Sequence, residues 1–368
     1  MSKLRIALSF ILFPLSILYG MGIYLRNKLF DFGILPSKSF DIPIIGIGNI
    51  TVGGTGKTPH VEYLVELLKD EFKTATLSRG YKRKTSGFVL AGENSKVEDI
   101  GDEPMQIKTK NPEITVAVDK KRVHGIQKLK ENIKNLDLVL LDDAYQHRYV
   151  KPNLNILLID YNHPINKDFL LPLGNLREPV YQKRRANIII ITKAPQDFQP
   201  IQRRVVLNKL KPFPYQTIYF TTLQYGNPQA IFPHWADEKT FKDINENTTI
   251  LLVTGIADPK PFKKYLENNL SKQINSVIFA DHRNYSDSDI NKIEKRYKQI
   301  EKKDKVIITT EKDAIRLREN KNIPDELAKA FCFIPIKVEF LNNRTNDFNQ
   351  QITDYVRKNK KHSFLYPE

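Results

Sequence analysis

A glycine-rich segment that follows an apolar run places the strongest constraint on how this chain folds. The segment reads GNITVGGTGKTPHVEYL from Gly48 to Leu64, and the β-branched run IPIIGIGNI leads into it. A strand, a loop that ends in Gly-Lys-Thr and a helix follow one another in phosphate-binding loops, whose backbone N–H groups point at phosphate oxygens. The segment therefore predicts an α/β nucleotide-binding fold.

The loop departs from the usual spacing G-x-x-x-x-G-K-[ST]. Thr51 stands where the first glycine is expected, and the pair Gly53-Gly54 lies inside the loop. Lys57 is expected at the terminal phosphates, and the Thr58 hydroxyl is expected to be a ligand of Mg²⁺. We predict that the nucleotide is bound by Thr51, Val52, Gly53, Gly54, Thr55, Gly56, Lys57 and Thr58.

The spelling GGTGKT resembles the deviant phosphate loops of membrane-associated partitioning ATPases. Those loops carry a lysine just before the glycine pair, and this lysine reaches across a dimer. Val52 occupies that position here, so the chain lacks the residue for that mechanism. A nucleotide-switch ATPase that acts on a protein partner at a membrane stays open as the alternative to an enzyme with a small substrate.

Two adjacent aspartates supply the partner that such a loop requires. Asp142 and Asp143 follow an apolar strand pattern in NLDLVLLDDAYQH. Carboxylates at the end of a strand are typical of the Walker B site, where one of them meets the Mg²⁺ shell. Side chains of successive strand residues point to opposite faces, so we expect only one of the two to face the metal.

Apolar runs that alternate with helical patterns predict the rest of the architecture. Runs such as LDLVLLDD, NILLID and NIIIITK are typical of central strands in a mostly parallel sheet with helices on both faces. Prolines and aromatic residues interrupt the pattern near KPFPYQTIYF, which suggests a hinge with a short two-stranded sheet. The predicted regions are an N-terminal helix (1–28), a P-loop domain (29–215), a hinge (216–246) and a smaller C-terminal α/β domain (247–368).

The N-terminus carries an uncharged apolar segment, IALSFILFPLSILYGMGIYL, from Ile6 to Leu25. As a helix of about 20 residues it would span roughly 30 Å, the thickness of one hydrocarbon core. A cleaved signal peptide, a spanning helix, an interfacial helix and a buried core helix are the alternatives. Pro14 in the middle and basic residues on both sides favour membrane association. Whether the helix spans or lies in the interface stays open.

Charge and cysteine content narrow the class of protein further. The formal net charge is +16, which suits an anionic membrane face, a phosphorylated substrate or nucleic acid. No basic and aromatic module supports nucleic acid, so we expect none as a partner. Cys332 is the only cysteine, which excludes an intramolecular disulfide framework and suits a reducing compartment.

Motifs along nearly the whole chain resemble one family, the tetraacyldisaccharide 4'-kinases, which are the lipid A 4'-kinases of lipopolysaccharide assembly. The resemblance rests on GNITVGGTGKTP, LSRGYKRK, GDEP, VAVDKKR, LDDAYQHR, LLPLGNLREP, TGIADPKPF, FADHRNYSDSD and ITTEKDAIRL, in this order. It implies transfer of the γ-phosphate of ATP, with Mg²⁺, to the 4'-hydroxyl of a tetraacyldisaccharide 1-phosphate, which makes lipid IVA. It also implies a glycolipid substrate and a location on the cytoplasmic face of the inner membrane. We expect the protein to be a monomer.

The same resemblance implies roles for individual residues. Lys57, Asp102 and His282 are expected to be catalytic, with Asp102 as the base that accepts the hydroxyl proton and His282 as its partner. Glu178 is expected near the metal with Thr58, Asp142 and Asp143. Binding of the sugar–phosphate acceptor is expected to involve Asn49, Arg79, Arg122, Gln146 and His147. By the predicted boundaries Asp102 and His282 lie in different domains, which would couple proton removal to closure of a cleft.

Overall fold

The computed structural model describes residues 8–235, 241 and 244–365. In chain order, the strands are β1 Ile44–Gly48, β2 Thr74–Ser78, β3 Val89–Leu90, β4 Thr115–Val118, β5 Leu138–Leu141, β6 Leu154–Asp160, β7 Ile188–Thr192, β8 Thr217–Tyr225, β9 Gln229–Ala230, β10 Thr249–Thr254, β11 Ile274–Ile278, β12 Lys305–Thr310, β13 Phe331–Ile334 and β14 Ile336–Phe340. The α-helices are α1 Ser9–Asp31, α2 Lys57–Leu68, α3 Val97–Ile100, α4 Asp102–Lys110, α5 Arg122–Asn132, α6 Pro200–Leu210, α7 Lys260–Asn269, α8 Asp287–Lys298, α9 Glu311–Arg318, α10 Asp325–Ala330 and α11 Thr345–Leu365.

The chain divides into two compact units. Unit 1 comprises Met1–Glu93, Ile107–Leu223 and Val338–Glu368, and unit 2 comprises Asn94–Gln106 and Gln224–Lys337. This division differs from the predicted boundaries in two places, because residues 94–106 belong to unit 2 and residues 338–368 belong to unit 1. Residues 1–7 of the predicted N-terminal helix lie outside the described residues. Residues 236–240 and 242–243 of the predicted hinge do so as well.

Unit 1 is built on a large sheet. In the described residues its nine strands run in the order β14-β8-β7-β6-β1-β5-β2-β4-β3, and the pairs from β8 to β4 are parallel. Strands β1, β2, β5 and β7 are buried at every position, as expected when helices cover both faces of a parallel sheet. The predicted fold class, a mostly parallel α/β sheet with a second, smaller unit, is confirmed.

The position of β1 within the sheet determines where a ligand can bind. Strand β1 pairs with β5 on one side and with β6 on the other, so the connection from β1 through α2 leads to β2 beyond β5. In open α/β sheets, ligands bind outside the carboxyl ends of the strands where the order reverses in this way. The loop that follows β1 lies at such a point.

The C-terminal helix α11 belongs to unit 1 because its apolar face packs against aromatic residues of that unit. Phe348 is almost fully buried, and its ring stacks on Phe340 of β14 with centroids 4.3 Å apart. Tyr219 of β8 meets Phe348 edge-on at 5.1 Å. These contacts, together with the place of β14 beside β8, explain why the last residues do not join unit 2.

Unit 2 has a smaller sheet. Its five strands in the described residues run in the order β11-β10-β12-β13-β9, and only the pair β13–β9 is antiparallel. The predicted two-stranded sheet at the hinge is therefore wrong for the part of the chain that is described. Strands β8 and β14 belong to the large sheet, with β14 at its edge, whereas β9 forms an edge of the smaller sheet.

Helix α1 has an exposed apolar half and a docked polar end. It is the one helix within the described residues that is long and apolar enough to cross a membrane, and most of its apolar residues are exposed. Phe10 is 90% exposed and Leu18 is 63% exposed. Near its end, by contrast, Asn27 and Phe30 are buried in unit 1. For most of its length, α1 is therefore not the buried core helix that was one of the alternatives from the sequence.

Candidate functional site

The glycine-rich loop connects the central strand β1 to the N-terminus of α2. Gly53 has φ +102° and Gly56 has φ +84°, both in the left-handed region that favours glycine. A Cβ atom at Gly53 or Gly54 would meet nothing within 4 Å, so the loop has open space beside it. Backbone N–H groups at the start of a helix attract anions, and this geometry fits the predicted phosphate site.

Two residues that the resemblance assigned to the acceptor make hydrogen bonds that support the loop. Asn49 is fully buried, and its Nδ2 donates to Thr55 Oγ1 at 3.0 Å and to Thr51 Oγ1 at 3.4 Å. Gln146 Nε2 donates in turn to the backbone oxygen of Asn49. Through these contacts, the two side chains hold the loop conformation.

Residues from the far side of the sheet also hold the loop, and sequence reasoning missed them. Thr192 at the end of β7 donates its hydroxyl to the Thr55 oxygen at 2.9 Å. The next residue, Lys193, donates to the Gly54 oxygen and forms an ion pair with Asp160 at 2.8 Å. Their position directly after the isoleucine run IIII was the signal that could have pointed to them, since parallel strands end at one edge of the sheet.

His60 was missed for a different reason. Its ring lies inside unit 1, where Nδ1 is 2.7 Å from the Gly56 oxygen and Nε2 is 3.0 Å from Thr221 Oγ1 of β8. Because Nδ1 faces a carbonyl, the neutral ring donates there and accepts the Thr221 hydroxyl at Nε2. Burial lowers the pKa of His60 to about 4, so the ring is neutral at pH 7. No local pattern in the sequence pairs it with a residue of β8.

The predicted lysine of the loop faces the predicted acidic residues. Lys57 Nζ lies 3.4 Å from Asp143 Oδ1, and Arg177 approaches the other carboxylate oxygen at 3.5 Å. Burial raises the pKa of Asp143, but the charges of Lys57 and Arg177 outweigh this effect and hold it below its ordinary value. Asp143 also has φ +47°, a rare conformation for a residue other than glycine. The carboxylate is therefore ionised and within reach of the lysine.

The second aspartate lies beside a buried arginine. Arg122 Nη2 donates to the backbone oxygen of Asp142 at 3.3 Å. Burial lowers the pKa of Arg122 to about 10, although Asp142 and Asp143 oppose this shift. Burial, reinforced by the charge of Arg122, also lowers the pKa of His147 to about 4. Arg79 is exposed, and its charge acts on Arg122 as well. The predicted acceptor residues Arg79, Arg122 and His147 thus lie close to the aspartate pair.

The side-chain oxygens near Lys57 suit a Mg²⁺ ion that is partly held by substrate phosphates. They suit less well a metal ion whose ligands all come from the protein. Within the described ranges, no group of three or more His, Cys, Asp or Glu side chains could hold a metal. Mg²⁺ usually takes one or two carboxylates and completes its shell with substrate phosphates and water. Thr58, Asp142 and Asp143 therefore fit the ion by their chemistry.

Glu178 has contacts of another kind. It is fully buried, its Oε2 is paired with Arg185, and its Oε1 accepts a hydrogen bond from Asn27 Nδ2 of α1 at 3.4 Å. Both carboxylate oxygens are therefore occupied by protein donors. This arrangement favours a role in docking α1 over the predicted role at the metal.

The predicted catalytic pair lies in unit 2. His282 Nδ1 is 2.9 Å from Asp102 Oδ2, and Arg316 donates to the same oxygen. Burial raises the pKa of Asp102, but the His282 hydrogen bond and the charges of Lys312 and Arg316 bring it far below its ordinary value. The two residues are in contact, but both belong to unit 2, which differs from their predicted separation into different domains.

The sequence and the fold are both similar to those of known proteins. The chain matches the tetraacyldisaccharide-1-P 4'-kinase (LpxK) family over residues 8–357. The chain belongs to this family. A tetraacyldisaccharide 4'-kinase of Phocaeicola vulgatus is 48% identical over 355 residues, which cover 96% of both chains. One of Bacteroides fragilis is 48% identical over 358 residues, 96% of this chain and 95% of that one.

A solved structure agrees with the fold. LpxK from Aquifex aeolicus in complex with ATP has a TM-score of 0.72 and 29% identity, and the match covers 96% of this chain and 99% of that one. Because the match runs along both chains almost completely, the family motifs quoted from the sequence are parts of one shared architecture. The family resemblance inferred from the sequence is confirmed.

Proposed function

We propose that this chain transfers the γ-phosphoryl group of ATP to the 4'-hydroxyl of tetraacyldisaccharide 1-phosphate, a step of lipid A biosynthesis. Membership of the LpxK family over residues 8–357 carries this proposal. The geometry of unit 1 supports it, since a glycine-rich loop, a lysine and an ionised aspartate meet at the end of the central strand. The chain is accordingly a phosphotransferase that acts on a glycolipid.

The residues of unit 1 suit the nucleotide side of the reaction. We assign the triphosphate to the backbone of residues 51–58, with Lys57 near the terminal phosphates. Phosphoryl transfer depends mainly on positioning and on neutralising charge that spreads over the transferred group. Mg²⁺, which we assign to Thr58 and the Asp142–Asp143 pair, would supply further positive charge there. When phosphates are bound, Lys57 exchanges its 3.4 Å contact with Asp143 for a phosphate oxygen.

We assign the acceptor to the basic side chains near the aspartate pair. Arg79 is exposed, Arg122 lies beside Asp142, and the charge of Arg122 acts on His147. Arginine binds phosphate in a planar, bidentate manner, which suits a 1-phosphate sugar. His147 is neutral at pH 7 because its pKa is about 4, so it can donate a hydrogen bond to a sugar hydroxyl without adding charge. Asn49 and Gln146 contribute by holding the loop.

Asp102 is the residue that we assign as the base. Its low pKa keeps it ionised but makes it weak toward a free alcohol. In a loose transition state, the acceptor hydroxyl becomes acidic only as its bond to phosphorus forms, so a weak base in the right position is adequate. The hydrogen bond from His282 Nδ1 orients the carboxylate for this step.

Helix α1 supports a location on the cytoplasmic face of the inner membrane. Its exposed apolar side chains, such as Phe10 and Leu18, suit contact with lipid. Lys28 lies in its last turn, where a cation favours an anionic membrane surface. ATP is a cytoplasmic substrate, and the acceptor is a lipid, so an enzyme at that face meets both. We propose that it acts as a monomer, since Val52 replaces the lysine that would reach across a dimer.

The experiment is transfer of labelled γ-phosphate from ATP to tetraacyldisaccharide 1-phosphate in mixed micelles by the purified protein. The expected product is labelled lipid, formed only when the 4'-hydroxyl is free. A matched acceptor whose 4'-hydroxyl is blocked is the control. Hydrolysis of ATP at the same rate with either lipid, and no labelled lipid, would instead support the switch ATPase.

A further inference from the structure

Helix α9 presents two charged side chains, Lys312 and Arg316, to the Asp102–His282 pair. The helix begins after Thr310, which caps it, and its sequence EKDAIRLR provides Lys312, Asp313 and Arg316. Arg316 has a side chain that is only 2% exposed, so its charge must be matched inside unit 2. The partners of Arg316 show which groups match its charge and which side chain it holds in position.

One side of the guanidinium is attached to the frame of unit 2. Arg316 Nη1 donates to Asp313 Oδ1 at 3.1 Å. Asp313 is itself fully buried, and its Oδ2 accepts hydrogen bonds from Thr254 Oγ1 at 3.0 Å, the Gly255 N–H at 3.0 Å and Thr310 Oγ1 at 2.7 Å. Asp313 is thereby tied to the ends of β10 and β12, and it holds Arg316 at a defined position.

The other side of the guanidinium reaches the proposed base. Arg316 Nη2 donates to Asp102 Oδ2, the same oxygen that lies 2.9 Å from His282 Nδ1. Asp102 Oδ1 accepts the Glu103 N–H at 3.0 Å. Both oxygens of the carboxylate are therefore held by donors, and together these donors define its orientation. The second oxygen carries only a weaker, neutral donor in these contacts.

We propose that Arg316 is a positioning residue for phosphoryl transfer, which holds the Asp102 carboxylate in the orientation in which it accepts the hydroxyl proton. This role rests on the proposed function, in which Asp102 is the base. A base must lie within hydrogen-bond reach of its proton, and a misplacement of about 1 Å can cost on the order of 10²-fold in rate.

Electrostatics argues that the contribution of Arg316 is geometric. A cation beside a carboxylate favours its ionised form and weakens it as a base. The charged groups that face Asp102 are His282 with the adjacent Asp281, Lys312 and Arg316 of α9, and Glu103 of its own helix; Asp313 faces Arg316. Burial raises the pKa of Asp102, and the charge of Arg316 opposes this effect. Removal of the arginine charge is therefore expected to raise the pKa of Asp102. With a higher pKa, Asp102 would be a stronger base and transfer would be faster. A slower rate in the variant therefore indicates that the Asp102 carboxylate has lost its orientation.

A purely structural role is the rival explanation, because a buried arginine that neutralises two aspartates also stabilises the fold. Arg318 provides the matched control. It lies on the same helix, donates to the Ile231 oxygen at 3.2 Å and covers the Phe333 ring at 5.4 Å. Neither contact involves Asp102. Loss of Arg318 therefore affects the packing of α9 without affecting the base.

The experiment compares Arg316→Gln, Arg316→Lys and Arg318→Gln in the labelled-phosphate assay from pH 5 to 9, with the melting temperature of each. We expect Arg316→Gln to lower kcat by roughly 10² with little change in KM, and to move the acid limb of kcat to higher pH. Arg316→Lys, which keeps the charge but loses the fork, is expected to keep the acid limb low and to restore kcat in part. Arg318→Gln is expected to lower only the melting temperature.

Several outcomes overturn the proposal. Normal kcat and an unmoved acid limb in Arg316→Gln would do so, and so would a loss of rate equal to that of Arg318→Gln at the same loss of stability. If Arg316→Gln does not fold, normal kcat in Arg316→Lys overturns it. Absence of transfer by the parent protein would overturn the proposed function itself. If Asp102→Ala abolishes transfer but the Arg316 variants keep it, only the role of Arg316 is overturned.

Discussion

The buried ring of His60 leads to a prediction that can be worked from the structure. His60 bridges Gly56 of the phosphate loop and Thr221 of β8 as a neutral side chain, with a pKa of about 4 against an ordinary value of 6.5. The unfolded chain therefore binds a proton at higher pH than the folded chain does. Stability from this residue is fully present above pH 6.5 and is lost as the pH falls toward 4.

The magnitude follows from these two values. Between pH 7 and pH 5, protonation of His60 in the unfolded state alone should reduce the free energy of unfolding by about 2 kcal/mol. We therefore expect His60→Gln to be less stable than the parent at pH 7 by about 1–3 kcal/mol, because a buried partner is left without its hydrogen bond. That difference should shrink by about 2 kcal/mol at pH 5, where the parent has lost its advantage.

Urea unfolding of both proteins at the two pH values measures the effect. The difference between parent and variant removes the contribution of other titrating groups, including His147, whose pKa is also lowered to about 4. His234→Gln, a change at an exposed histidine, serves as the control. A gap between parent and His60→Gln that stays constant from pH 7 to pH 5 would refute the reasoning.

Three further predictions concern activity. Lys57→Ala should abolish phosphate transfer without unfolding the protein, because the ion pair that the described residues show for Lys57 is a single contact with Asp143 at 3.4 Å. Transfer at the parent rate would refute the loop assignment. Deletion of Met1 to Leu25 should leave a folded protein that reaches lipid in vesicles poorly, because most of that segment of α1 is exposed; an unfolded product would contradict this. Asp102→Ala and His282→Ala should each lower kcat by roughly 10² to 10⁴, and the double variant should be little worse than the worse single one. Additive losses, measured in the same assay, would show that the pair does not act as a unit.

The parts of the site that are local in sequence could be predicted from it. The glycines, Lys57 and Thr58 follow one another after an apolar run, and the Asp142–Asp143 pair ends another, so strand periodicity places both at one edge of a sheet. His60 and Thr221 are 161 positions apart, and Arg316 and Asp102 are 214 positions apart. Contacts of this kind depend on the topology of the sheets, and no repeat or spacing in a single sequence encodes them.

Helix α1 shows how composition can predict an element and still miss its connection to the site. Its apolar residues predict membrane association, but the polar residues of its last turns carry the specific contacts. Arg26 donates to the Gln146 oxygen at 3.1 Å, and Gln146 donates to the backbone oxygen of Asn49, which holds Thr51 and Thr55. One residue, Gln146, thus links the end of the helix to the support of the phosphate loop. The docked end of α1 and the support of the loop therefore share a residue, so loss of the Gln146 contacts would affect both.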